Sequence, residues 1–364
     1  MTLVDSARPH VLAGTSGTLA DVSALPADLW PEGSRQGMRL RYWSRGRLTS
    51  GSVFLPEAEP SGTGWPIVTW AHCMVGIGGS NAPSLGGLPR LERVHLTAWL
   101  RRGFVVAAAD YLGLDAHGIT PYPYGEPLAS DILDIARAVQ DLGAPIDAPV
   151  IAAGFSQGAD VALYAALLWQ SHAPELDFRG TVALAPLDYP TFFTAVTKDE
   201  DSPVEQLVPM LLAGMRAHSP TFEPRDFLTD HGNRLVEVAA TASMPQMRAA
   251  MAPFRNSDLG VSGMMRRLDI QCLLAEARPP VTRYHPPLLL CTTTRDILSP
   301  PKSTARLQTQ LRECGTDATF RCYEGVNHLS ALPTTAHDSA RWAHDLLATH
   351  PTHRIATNSD RTRS

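Results

Sequence analysis

The pentapeptide Gly154-Phe155-Ser156-Gln157-Gly158 constrains this chain more than any other stretch. It follows the apolar run Val150 to Ala153 and precedes Val161 to Trp169, which is apolar all round. A short run without polar alternation suits a strand buried on both faces, and the stretch after it suits a helix buried against a sheet. Joining the two this abruptly needs a turn too tight for side chains at Gly154 and Gly158. Such a turn strains the central serine and points the Ser156 hydroxyl into a cleft at the strand end. It also sets the Gln157 N–H, at the helix start, where negative charge on a substrate oxygen would develop. A glycine-flanked surface turn is the plain alternative, but it leaves the buried elements on both sides unexplained.

The rest of the chain repeats the strand–helix rhythm. Met38 to Trp43 and Leu48 to Leu55 alternate as two half-buried strands around Arg45-Gly46. Buried runs follow at Pro66–Trp70, Phe104–Ala109, Pro149–Ala153, Thr181–Leu184 and Leu288–Cys291. Between them Leu128, Ile132, Ile135, Ala136 and Val139 share one helical face, and Trp342, Ala343, Leu346 and Leu347 give a final amphipathic helix. This order predicts an α/β fold: a mostly parallel central sheet with helices on both faces.

From about Thr191 to Pro280 the rhythm stops. Helices are expected over Val204–Met215, Arg234–Thr241 and Met244–Met251, with no buried strand. Seven of the ten methionines lie in this insertion. Methionine suits surfaces that accept varied apolar partners, and it equally fills irregular cores, so both readings stay open. The expected organisation is an irregular arm over 1–35, the α/β core over 36–190 and 281–350, the helical insertion over 191–280, and a disordered tail over 351–364.

A serine hydroxyl needs a base at neutral pH. After a nucleophile turn of this kind the partners come in the order acid, then histidine, each after a later strand. Asp296 follows the run Leu288 to Thr293, and His328 follows the candidate strand Thr319 to Tyr323. A loop aspartate is usually a turn or cap residue and a lone histidine usually a packing residue. Finding both in the expected order, on the expected elements, favours the triad Ser156–His328–Asp296. The loop Ala71 to Ser80, rich in glycine, follows the strand ending at Trp70 and is where a second oxyanion donor belongs, through backbone N–H groups that glycines let approach a substrate.

Composition narrows the alternatives. The net charge of −5 and the scattered basic residues offer no nucleic-acid footprint. No apolar run approaches the roughly 20 residues of a membrane span. Five dispersed cysteines (Cys73, Cys272, Cys291, Cys314 and Cys322) have neither disulfide-framework nor metal-ligand spacing, and reduced thiols are expected, with Cys314–Cys322 the one pair that could bond. No metal or organic cofactor is called for. The N-terminal residues lack a basic start and apolar stretch, so a cytoplasmic protein is expected, or a secreted one if a leader was removed.

Further motifs carry a family resemblance. Trp70-Ala71-His72 precedes Asn81-Ala82-Pro83-Ser84; Asp110-Tyr111-Leu112-Gly113-Leu114 follows; then come Pro121-Tyr122, Gly125-Glu126 and Asp131-Ile132-Leu133-Asp134. With the Ser156, Asp296 and His328 segments, these make the chain resemble the secretory lipases, the lipase-A-like branch of the α/β-hydrolases, from about Leu48 to Leu347. The resemblance implies an esterase or lipase acting through an acyl-enzyme, with the insertion as a helical cap over the acyl pocket. Cys73 stands where the family usually has glycine, and Asn81 where it usually has a cysteine, so the family's disulfide there is not expected. The resemblance places Ser80 near an oxyanion contact, which makes Gln157, Cys73 and Ser80 the candidate oxyanion-hole residues. Asp110, at a strand end, reads better as a structural acceptor than as a functional acid.

The expected activity is hydrolysis of a small or medium apolar ester, with homodimerisation left open. An acyltransferase using the same triad is the first alternative; a non-catalytic binding protein on the same scaffold is the second.

Overall fold

The computed structural model describes residues 14–60, 64–115, 118–143, 146 and 148–349. The strands are β1 (Leu19–Ala24), β2 (Ser34–Ser44), β3 (Arg47–Pro56), β4 (Ile67–Ala71), β5 (Val105–Ala109), β6 (Pro149–Phe155), β7 (Asp177–Leu184), β8 (Leu288–Thr293) and β9 (Ala318–Tyr323). They form one sheet in the order β1-β2-β3-β5-β4-β6-β7-β8-β9. The pairs from β1 through β3 to β5 are antiparallel, and those from β5 to β9 are parallel.

The core helices are α1 (Pro83–Gly86), α2 (Arg90–Leu100), α3 (Glu126–Gln140) and α4 (Gln157–His172). After β7 come α5 (Tyr189–Thr197), α6 (Leu207–His218), α7 (Asp230–Ala239), α8 (Met244–Met251), α9 (Asn256–Leu259) and α10 (Leu268–Ala277). The chain closes with α11 (Pro301–Glu313) and α12 (Ala331–Thr349).

The non-alternating runs are explained by burial on both faces. Ile67, Val105, Val150 and Leu288 pack with α3 and α4 on one side. Their neighbours Val68, Val106, Ile151 and Leu289 pack with α2 and α12 on the other. Each such side chain removed from water contributes about 1.5–3 kcal/mol, so polar alternation in these central strands would be costly.

The arm departs from expectation. Within residues 14–35, β1 pairs with β2 and extends the sheet by an edge strand. Only Leu19 of β1 is even partly covered, so no apolar pattern marks it in the sequence. Residues 1–13 and the expected tail over 351–364 lie outside the described residues. All five cysteines are free, and the Cys314–Cys322 pair is not formed.

Helices α5 to α10 of the insertion build a second apolar core, which also takes in Ile77, Tyr122 and Tyr124. Met210, Met215, Met247, Met251 and Met264 are buried there, while Met244 and Met265 pack against it part-buried. Its methionines are thus largely core filler.

Candidate active site

The tight turn lies between β6 and α4. Ser156 has φ 58° and ψ −120°, a conformation that L-residues rarely adopt. Its N–H is held by the Leu184 carbonyl of β7 at 2.9 Å. A methyl group at Gly154 would collide with the Gly158 carbonyl, and one at Gly158 with the Ala71 carbonyl at the end of β4. The flanking glycines are therefore required by backbone approaching backbone on both sides of the serine.

Three side chains from three loops meet there. His328 Nε2 lies 2.9 Å from Ser156 Oγ, and His328 Nδ1 lies 2.7 Å from Asp296 Oδ2. The other Asp296 oxygen accepts the N–H groups of Leu298 (2.9 Å) and Ser299 (2.8 Å). A buried carboxylate satisfied by two backbone donors has one oxygen left, and it faces the imidazole. The His328 ring also packs on Phe155, with centroids 4.7 Å apart. Asp296 on Nδ1 favours the tautomer in which Nε2 can accept the serine proton. Ser156 is 7% exposed, enough to be reached but largely screened from water.

The oxyanion candidates separate. Gln157 begins α4, so its N–H is one of the donors a helix leaves without an intrahelical acceptor. The Cys73 N–H is not available: it donates to Glu92 Oε1 at 2.8 Å. Glu92, fully buried on α2, also accepts the Trp70 indole N–H at 2.6 Å. Burial and the neighbouring Glu92 carboxyl push the Cys73 thiol well above its usual range, which leaves it protonated and a poor nucleophile. No hydrogen bond among the described residues engages the Met74 N–H, the next along the loop. The sequence reading missed Glu92 because an acid in the first turn of a helix looks like an ordinary solvent-facing residue.

The loop glycines also have a different partner from the one expected. Methyl groups at Gly76 and Gly79 would meet the Ala242 and Thr241 carbonyls at 2.9 Å, and one at Gly78 would collide with the Ala240 carbonyl. Met244 N–H donates to the Val75 carbonyl at 3.0 Å, and Asn81 Nδ2 to the Thr241 carbonyl at 3.1 Å. These glycines admit the α7–α8 backbone of the insertion. Ser80 is exposed at the end of this stretch, and among the described residues no hydrogen bond brings it toward Ser156.

Asp110 accepts from Ser50 Oγ (2.7 Å), from the Ser84 N–H (2.7 Å) and from Ser84 Oγ, which ties α1 to the ends of β3 and β5. This is the structural role read from the sequence. Among the described residues no cluster of three or more His, Cys, Asp or Glu side chains could hold a metal ion.

The secretory lipase family matches residues 82–354, a span that contains all three meeting side chains. This chain is a secretory lipase family member. Solved structures similar to it include Candida antarctica lipase A in its closed state, with 19% identity, TM-score 0.69, and 90% of this chain and 83% of that one covered. The rice cell wall degrading esterase LipA from Xanthomonas oryzae is also similar, with 19% identity, TM-score 0.74, and 92% and 99% covered. A protein from Legionella pneumophila is similar too, with 16% identity, TM-score 0.75, and 92% and 100% covered. No curated protein sequence matches. The family and these folds make the secretory lipase chain an α/β-hydrolase and a hydrolytic enzyme of the lipase and esterase class. The family's name favours secretion, so the cytoplasmic expectation gains no support. No helix among the described residues is long and apolar enough to cross a membrane.

Proposed function

We propose that this secretory lipase is a serine carboxylic-ester hydrolase working through an acyl-enzyme on a small or medium apolar ester. The observation that carries the reading is the line from Ser156 through His328 to Asp296, with hydrogen bonds of 2.9 and 2.7 Å and the serine held at φ 58°.

In this reading His328 Nε2 takes the Ser156 proton as Oγ attacks the ester carbonyl. Asp296 keeps the imidazole in the correct tautomer and stabilises the imidazolium. Negative charge on the carbonyl oxygen is met by the Gln157 N–H, with the Met74 N–H in place of that of Cys73 as second donor. His328 then protonates the leaving alkoxide, and the acyl group stays on Ser156. In the second half His328 activates water, which releases the acid and restores the hydroxyl. The insertion abuts the loop after β4 and shares an apolar core with Ile77, Tyr122 and Tyr124, and in this reading it bounds the acyl pocket.

The test is hydrolysis of p-nitrophenyl esters from acetate to long acyl chains by the wild type and by Ser156→Ala, with fluorophosphonate labelling in parallel. Ester turnover and labelling should both vanish in the variant while its fold survives. Turnover that persists in Ser156→Ala would reject the assignment.

A further inference from the structure

The insertion leaves the core at Leu187–Asp188 and returns at Arg278–Pro279, and both junctions line one small cavity together with Asp160 and Arg306. Asp160 lies on α4, one turn beyond Ser156, and is buried. Its carboxyl faces the Leu187 N–H and the Tyr189 hydroxyl at the entry junction. Yet Asp160 Oδ2 and the Tyr189 hydroxyl both lack a partner in hydrogen-bond geometry. One turn further along α4, the Tyr164 hydroxyl donates to the Arg278 carbonyl at 2.8 Å, with the Glu276 carbonyl 3.3 Å away. Residues four apart share a helix face. One face of the nucleophile's helix therefore addresses both ends of the insertion, Asp160 the entry and Tyr164 the exit.

We infer that Asp160 and Tyr164 are positioning residues that seat the two ends of the insertion on the nucleophile helix, and so set the reach of the site toward long acyl chains. The part of this concerning acyl chains rests on the esterase reading above; the seating does not. The Tyr164 contact is made, and it holds the exit at fixed height on α4. The Asp160 contact is poised: a carboxyl and a phenol face each other just outside hydrogen-bond geometry, so a small shift of α5 makes the bond. Burial pushes the Asp160 carboxyl up to about 8. The titratable and charged groups around it are Tyr122, Tyr189, Tyr164, Tyr284 and Arg278, with Asp188 and Arg306 across the cavity. Of these only the arginines are cationic, and Arg278 belongs to the exit. The Tyr189 hydroxyl, the Leu187 N–H and Arg278 all favour ionised Asp160, so ionisation tightens its hold on the entry junction.

The test uses the full chain with Tyr164→Phe, Asp160→Ala and the conservative Asp160→Asn. Amide hydrogen exchange is followed over residues 191–280 and over the core. Tyr164→Phe should speed exchange in the insertion by about tenfold, the loss of one hydrogen bond, Asp160→Ala should speed it by a smaller factor because its bond to Tyr189 is not yet made, and both should leave β4 to β8 unchanged. The KM for a long-chain p-nitrophenyl ester should rise more than that for the acetate. Asp160→Asn should keep wild-type exchange at pH 7 and abolish the step that the wild-type insertion shows near pH 8. Unchanged exchange in both disruptive variants, or an equal rise across insertion and core, would overturn the seating role. If the wild type hydrolyses no ester, the esterase reading falls and the exchange data still decide the seating.

Discussion

Replacing Glu92 tests whether a buried carboxylate holds the loop after β4, the proposed source of the second oxyanion donor. Its two oxygens accept the Trp70 indole N–H at 2.6 Å and the Cys73 backbone N–H at 2.8 Å, in a site with no exposure to solvent. Hydrogen bonds to a charged partner contribute about 1.5–3 kcal/mol each, so Glu92→Ala, which strands both donors, should cost roughly 3–6 kcal/mol. Glu92→Gln keeps one acceptor oxygen and turns an NH2 toward the other donor, so about half that loss is expected. The loop freed in either variant carries the N–H proposed as the second oxyanion donor. Misplacing such donors by about 1 Å costs on the order of 100-fold in turnover. Urea unfolding gives the stability, and ester hydrolysis at saturating substrate gives kcat. The reasoning fails if Glu92→Ala costs under about 1 kcal/mol, or if kcat survives a full loss of stability, since the loop would then be held by something else.

Asp296→Asn should preserve the fold and lower kcat by about 10⁴-fold, because an amide on Nδ1 no longer favours the tautomer that accepts the serine proton; steady-state kinetics with a thermal melt check it. Gly158→Ala should abolish activity, since its methyl group would overlap the Ala71 carbonyl and stand 2.8 Å from that of His72, and slowed fluorophosphonate labelling would report the displaced serine. Stability should also fall in acid through His95. Burial lowers its pKa to about 4, with Nδ1 donating to the Leu332 carbonyl and Nε2 accepting from Trp99. Between the unfolded value of 6.5 and about 4 the unfolded chain binds the extra proton, so this contribution is present above that window and is lost as pH falls through it. Urea titrations at pH 7 and pH 4.5 should show a drop about 2–3 kcal/mol larger in the wild type than in His95→Gln.

Much of this site was legible because the fold writes its buried strands as unbroken apolar runs. The runs before Ser156, Asp296 and His328 placed each residue at a strand end, and the order of the three did the rest. What stayed hidden depends on partners distant in sequence. Leu19–Ala24 joins the sheet as an edge with only its first residue partly covered, so no pattern marks it. Glu92 on α2 becomes a ligand of the loop after β4 only once the Trp70 indole and the Cys73 amide are brought to it. Gly76, Gly78 and Gly79 announce a close approach, but the sequence does not say by what; the carbonyls come from residues 240–242, well over a hundred positions away. The insertion's methionines illustrate the same limit, because composition alone cannot separate a pliable lining from a packed interior.

That backbone-to-backbone seam bears on how such enzymes could be recombined. A chimera that imports only residues 191–280 from another family member would set foreign carbonyls against Gly76–Gly79, and a side chain at position 76, 78 or 79 would hold the two backbones apart. The glycine strip and the α7–α8 corner thus fit as one unit, and acyl preference should transfer between relatives only when the two travel together.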